Sequence, residues 1–240
     1  MIKRFHALYV GQIELDNIGL NGTPANERRY PNERLSEVFQ ASLDVARVMD
    51  ETGYYCFWGA EHHFQREGYE CIPNLIQWGL WLATQTRRLK FGSAFNILPM
   101  WHPIRLAEDY AMADIVTDGR IIMGVGRGYH TREVETFGAP LLDANANRDL
   151  FEEQLQLLLK CFNEEQFHHK GKYYECPPGV PYRGYDLQDI TRAAAEASAG
   201  RDMDADRQRP HDRHDGAIRP QGDGDIERRE NSRRRRARVS

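Results

Sequence analysis

The stretch Phe91–Gly128, FGSAFNILPMWHPIRLAEDYAMADIVTDGRIIMGVGRG, decides the fold. Leu89–Leu98 is a strand that stops at Pro99. His102-Pro103 opens a helix running to Thr117, with Ile104, Ala107, Ala111 and Ile115 near one stripe. Asp118-Gly119 is a turn, and Arg120–Gly126 returns to strand before a glycine-flanked arginine. Strand, loop, helix and strand in that order predict repeated βα units and a parallel sheet.

Two earlier copies of the unit lie upstream. Phe5–Val10 alternates as a short strand, and Gly11–Tyr30 is a loop by its Asn21-Gly22 and Thr23-Pro24 turn chemistry. The spacing predicts a helix over Asn32–Glu51, with Leu35, Val38, Phe39, Ser42, Ala46 and Met49 on one face and Gly53 as its stop. Tyr54–Trp58 is uncharged, as a fully buried parallel strand is. The helix Pro73–Thr86 is apolar almost all round, so it needs cover on two sides and predicts a subunit interface. Downstream, helices are expected over Thr131–Phe137 and Asn147–Asn163, and a hairpin over Phe167–Tyr174 about Lys170-Gly171. Pro177–Pro181 reads as coil, and nothing beyond Ile190 resembles a strand.

Composition divides the 240 residues near Thr191. Of 32 basic and 36 acidic residues, thirteen and ten lie in 191–240, all thirteen basic ones being arginine. That leaves 19 and 26 before it, so a segment of formal charge −7 precedes one of +3. The first segment, 1–190, holds every aromatic residue and can bury a core. The second, 191–240, has no Phe, Tyr, Trp, Leu or Cys, too little apolar surface to offset the entropy of ordering, and is expected to be a disordered tail. Acids interleaved with Arg233–Arg236, and the lack of aromatics, argue against specific nucleic-acid binding. Cys56, Cys71, Cys161 and Cys176 make no CxxC pair, so free thiols are expected. The N-terminus lacks a signal peptide and no window has 18 apolar residues, so a soluble, cytoplasmic protein with no membrane partner follows as the expectation.

In a parallel α/β barrel, functional groups gather at the carboxyl ends of the strands, and three candidates fall there. Glu61-His62-His63 follows the second strand; histidine suits acid/base work, while a pair of buried, hydrogen-bonded histidines explains the motif equally well. A zinc site is disfavoured, because HExxH is absent and no third ligand is near in sequence. Ser93-Ala94-Phe95-Asn96 ends the third strand with small residues that either admit a flat ring or simply fill a barrel interior. Gly124-Val125-Gly126-Arg127-Gly128 leaves N–H groups approachable and presents a forked donor for phosphate, or else forms a tight turn with a surface arginine. As a dinucleotide fingerprint it has the wrong spacing and closes the wrong strand.

FWGAEHHF, GSAFNILPMWHPIRLAEDYAMADIVTDGRIIMGVGRGY and FGAP together resemble the bacterial luciferase-like, flavin-dependent monooxygenases, over about Phe5–Tyr174. The resemblance implies TIM-barrel-like (β/α) units, here the first four or five of eight. It implies reduced FMN, or in some branches a deazaflavin, with dioxygen and an aldehyde or other small organic substrate. It further implies a flavin reductase as supplier and a dimer through the helix 73–86. His62 matches the catalytic histidine, with Glu61 and His63 in the same motif. Ala94 and Phe95 match a cis-linked pair under the flavin ring, with Asn96 beside them, and Arg127, next to Gly128, matches the phosphate-binding arginine. The family-like sequence stops near Thr191, so a frameshifted reading ending at Ser240 is expected, and a truncated, non-catalytic chain with weak or no flavin binding is the alternative reading. Resequencing the locus decides the first of these.

Overall fold

The computed structural model describes residues 2–191. The expectations for the tail, its disorder and its origin by frameshift, lie outside those residues. Strand β1 (His6–Tyr9) leads through the loop to helices α1 (Asn32–Leu35) and α2 (Glu37–Thr52), then to β2 (Cys56–Gly59) and α3 (Leu75–Gln85). Next come β3 (Lys90–Ser93), β4 (Asn96–Ile97), α4 (Pro103–Val116), β5 (Ile121–Ile122) and β6 (Val125–Gly126). Helices α5 (Thr131–Val134) and α6 (Ala144–Asn163) complete the α/β part. Strands β1, β2, β3 and β5 form one parallel sheet in that order. The βα order read from the sequence is therefore the observed one.

The third and fourth strands are each interrupted and then resume. The Ala94–Phe95 peptide is cis, the configuration the resemblance implies. Beyond it, β4 pairs in parallel with β6, Asn96 opposite Val125. Gly124 lies where the two chains come closest: a Cβ there would sit 2.1 Å from the Ser93 carbonyl oxygen. Only glycine leaves that approach open.

Helix α3 lies between two apolar clusters of its own chain. Leu75, Trp78, Leu82 and Ala83 pack with Val38, Met49, Phe57 and Phe91. Ile76 packs with Leu98, Leu106, Tyr110 and Leu157 on another side. Its apolar circumference is thus largely covered within the chain, and the need for a subunit interface shrinks to Trp81, 37% exposed. Asp143 caps α6 by accepting the N–H groups of Asn145 and Ala146, so that helix starts three residues earlier than expected. Asp50, at the end of α2, accepts the N–H groups of Arg87, Arg88 and Leu89 at 3.0, 2.8 and 2.7 Å, tying the helix to the turn that enters β3. Burial pushes its carboxyl up, and those three bonds with the Arg88 charge outweigh it, leaving it below the ordinary value.

Three local expectations need correction. The helix Asn32–Glu51 is broken at Ser36, whose hydroxyl bonds the Glu33 carbonyl, and Phe39 faces outward while Leu43 is buried. On α4 Ala107 and Ala111 are buried and Ile104 packs on the core as expected, joined by Leu106, Tyr110 and Ala113, while Ile115 is exposed, because α4 must face α6 as well as the sheet. Beyond α6, β7 (Gln166–Phe167) comes before a hairpin of β8 (His169–Lys170) with β9 (Glu175–Cys176), which matches the expected one. A second hairpin of β10 (Pro181–Tyr182) and β11 (Tyr185–Asp186) turns at Arg183-Gly184, both at positive φ, where only coil was expected. β12 (Ile190–Thr191) returns to pair with β7. No helix among the described residues is long and apolar enough to cross a membrane.

Candidate active site

All three candidate motifs reach the same rim, at the carboxyl ends of parallel strands. The Ala94 N–H donates to the Gly59 carbonyl at 2.7 Å, and the Asn96 N–H to Gly124 at 2.9 Å, so the ends of β2, β3 and the β5–β6 link are laced together.

Glu61 is the centre of that lacing. Its carboxylate, 1% exposed, accepts from Asn96 Nδ2 at 2.9 Å, the Ile97 N–H at 2.7 Å and Trp101 Nε1 at 2.8 Å. His63 Nε2 lies 3.2 Å from the same carboxylate. Every lone-pair direction of Glu61 is therefore used inside the protein, which makes it a strut holding His63 and the cis-peptide strand. Asn96 is turned the same way: fully buried, it also accepts from the Tyr110 hydroxyl, which lies 2.5 Å from Ser93 Oγ. Its side chain faces Glu61 and Tyr110 rather than the rim, unlike the cofactor contact suggested for it. Burial pushes the Tyr110 hydroxyl up, keeping it neutral and able to donate.

His62 stands between two carboxylates, Glu70 from its own loop and Glu133 from far along the chain. Its Nδ1 lies 3.2 and 3.3 Å from the two oxygens of Glu133, 71 residues away. Glu133, on the single-turn helix α5, also accepts the His63 N–H at 2.9 Å and Gln65 Nε2 at 3.3 Å. Burial raises the Glu133 carboxyl, and the bonds from His62 and His63 with the charges of His62 and His130 reverse that, leaving it below the ordinary value. An ionised Glu133 only accepts, so Nδ1 of His62 donates to it and Nε2 faces the other way. That Nε2 lies 3.5 Å from Glu70. The remaining walls are the rings of His130 and Tyr129, with centroids 4.9 and 5.9 Å from that of His62. Arg132 bonds Glu67 at 2.9 Å and the Gln65 side-chain oxygen, bracing the loop that carries these groups.

The other side of the rim is apolar and cationic. Phe95 is 54% exposed, and its side chain lies against Gly124 and Gly126, where added Cβ atoms would come within 3.3–3.4 Å of it. Arg127 follows directly; it is exposed, and among the described residues no carboxylate pairs with its guanidinium. An open aromatic shelf beside an unpaired guanidinium fits a planar ring bearing an anionic group. Gly128 serves the packing instead: at φ +82°, a Cβ would stand 2.7 Å from both Ile97 and Val134 side chains.

Glu70, His130 and Glu133 escaped the reading of the sequence. Glu70 lies in the same polar loop as His62, whereas His130 and Glu133 reach it only because strand pairing brings a second loop alongside. The motif TREVETF places Glu133 just after the glycine-arginine loop, which is the one local signal available.

The luciferase-like monooxygenase family matches residues 20–207. An uncharacterized protein of Sinorhizobium fredii is 32% identical over 154 residues, 64% of this chain and 42% of that protein. The oxygenase component of the flavin-dependent trigonelline monooxygenase of Acinetobacter baylyi is 26% identical over 151 residues, 63% of this chain and 41% of that protein. Among solved structures, the oxygenating constituent of 3,6-diketocamphane monooxygenase from Pseudomonas putida, in complex with FMN, aligns with a TM-score of 0.57 and 25% identity, covering 72% of this chain and 47% of that one. The chain spans about two fifths of the length of the curated relatives it matches. With four parallel βα units in the right order and the family pattern running through them, the chain belongs to the luciferase-like monooxygenase family.

Proposed function

We propose that this rim binds a reduced flavin and that the chain takes part in a flavin-dependent monooxygenation of an aldehyde or another small organic substrate by dioxygen. The observation that carries the reading is the Ala94–Phe95 shelf, with Phe95 exposed against Gly124 and Gly126, and beside it Arg127, which has no carboxylate partner among the described residues. FMN is the cofactor proposed, with a deazaflavin as the alternative; the FMN complex of the diketocamphane enzyme supports the first. The relative named as an oxygenase component supports a separate flavin reductase as supplier.

When bound, the reduced flavin supplies the activation of dioxygen. The chain's own groups then have separate tasks. Arg127 holds the phosphate through its forked donors. Ala94 and Phe95 carry the ring face. His62 holds or moves a proton at Nε2, which Glu133 keeps aimed at the rim by occupying Nδ1. Glu61 acts by holding His63 and the strand end in place.

Flavin binding, followed by fluorescence quenching of added FMN, tests this. Arg127→Ala removes a charge-assisted contact of about 1.5–3 kcal/mol, so affinity is expected to fall by roughly ten- to a hundredfold. A wild-type chain that leaves FMN fluorescence unquenched while keeping native circular dichroism overturns the reading. That outcome favours the second one, a non-catalytic chain, for which the observation is that β1 and β5 each have an unpaired edge among the described residues.

A dimer through the helix 73–86 is part of the same proposal. Trp81 meets Phe39 edge to face, with centroids 6.4 Å apart, and Val45 and Val48 lie exposed on the adjoining helix α2. Light scattering on the purified chain is expected to give the dimer mass, and Trp81→Glu to give the monomer mass; a wild-type monomer sinks the idea.

A further inference from the structure

We propose that His62, Glu70 and His130 form a binding site for one first-row divalent transition metal ion, Zn²⁺ in particular. One ligand atom from each of the three lies within 4.8 Å of the others. His62 Nε2 and Glu70 Oε1 stand 3.5 Å apart, and His130 Nε2 lies 3.9 Å from the other Glu70 oxygen. Ligands bound at about 2.0–2.1 Å in a tetrahedron sit about 3.3 Å apart, so small rotations of the His130 and Glu70 side chains close the set. Two imidazoles and a carboxylate with a fourth position open to water match the donor number and chemistry of open zinc sites.

Two features distinguish this cluster from a chance meeting of polar groups. The first is the support behind His62. Its Nδ1 is engaged by Glu133, which leaves Nε2 as the free donor aimed into the cluster, and a histidine oriented by a carboxylate on its other nitrogen is the usual arrangement behind a metal ligand. Glu70 is likewise held, its second oxygen accepting Gln65 Nε2 at 3.2 Å. The second is charge and access. Glu70 and Glu133 both face His62, while the nearby Arg132 bonds Glu67 and Gln65 instead, so once both imidazoles are neutral the two carboxylates leave a negative pocket that a cation balances. His62 is buried, Glu70 nearly so, and His130 is open enough to give an entry path.

The site does not depend on the flavin reading, although it shares His62 with it. A metal held there takes the Nε2 that the proposed proton transfer needs, so the ion acts on this rim as an inhibitor that competes for one nitrogen.

Zn²⁺ titration of the full chain against a chromophoric chelator, with Co²⁺ absorption in the visible as an independent readout, tests the assignment. The sequence also contains His211 and His214, a second possible zinc ligand pair, so the His211→Ala/His214→Ala variant serves as the reference protein. In that background one equivalent of Zn²⁺ is expected to bind, with Co²⁺ giving the intense bands of a four-coordinate site. His130→Ala and Glu70→Gln are each expected to weaken binding at least tenfold, and Glu133→Gln by about ten- to a hundredfold through the loss of orientation. Far-UV circular dichroism identifies any variant that fails to fold, and His130→Ala, at a partly exposed position, keeps the test decisive if Glu133→Gln does. Absence of a bound equivalent in the reference protein overturns the proposal. So does unchanged affinity in folded His130→Ala and Glu70→Gln.

Discussion

Glu61→Ala is expected to cost the fold about 3–5 kcal/mol, the range for removing a buried ionic partner and leaving its donors unpaired. Four groups lose their acceptor at once: Asn96 Nδ2, the Ile97 N–H, Trp101 Nε1 and His63 Nε2. Asn96 and Ile97 are buried, so those two donors have no bulk water to turn to. For a chain of this size that loss corresponds to a fall in the thermal midpoint of roughly 6–20 °C. The damage is directional as well, since Ile97 and Asn96 follow the cis peptide and hold the Phe95 shelf in place. Thermal unfolding followed by circular dichroism reads the result. A midpoint within a degree or two of wild type would show that Glu61 is not the strut described above, and would return it to the list of groups available to a ligand.

Glu133→Gln is the second large effect, and it has a signature in pH. The folded carboxyl lies below its ordinary value of 4.5, burial raising it and the His62 and His63 bonds more than reversing that. A depressed carboxyl stabilises the fold fully above its unfolded value, and that contribution is lost as pH falls through the lower folded value. Wild type should therefore lose stability below about pH 4.5 partly through Glu133. Glu153 and Glu67 lie on the same side: burial raises each, and hydrogen bonds, from His169 and the 172–174 turn to one and from Arg132 and the Arg66 N–H to the other, more than reverse it. Glu133→Gln is expected to be about 2–3 kcal/mol less stable at neutral pH, the cost of a charged hydrogen bond lost in a buried site. The variant should also show a smaller drop between pH 7 and the acid limb. Denaturant melts at a series of pH values measure both. Parallel curves for wild type and variant, offset by nothing or by a constant, would rule out the ionised carboxylate as the anchor of His62.

The order of the elements was legible in the sequence because periodicity reports how a segment is buried. Uncharged Tyr54–Trp58 marked a strand, which forms over Cys56–Gly59 with Cys56 and Phe57 buried and Tyr54 left exposed outside it. The strand-end motifs were legible too, since glycines and an arginine after a strand mark a place where chain direction and chemistry change together. Where the reading erred, the missing information was always the partner. Ile115 and Phe39 are apolar yet exposed because the stripes of α4 and α2 are set by what packs on them. How much of helix α3 its own chain covers was not legible, because nothing local tells an apolar helix which clusters will enclose it.

The family, the parallel βα order and the strand-end placement of Glu61, His62, Ala94, Phe95 and Arg127 are readable from the residues alone. Tertiary structure alone decided what each of them touches. It turned Glu61 and Asn96 inward as supports, left Phe95 and Arg127 open, and brought Glu70, His130 and Glu133 around His62. The reason is geometric. Loops at the ends of parallel strands meet according to strand order and register, and those are set by packing over the whole sheet, whereas spacing along the chain carries only the local part of that information.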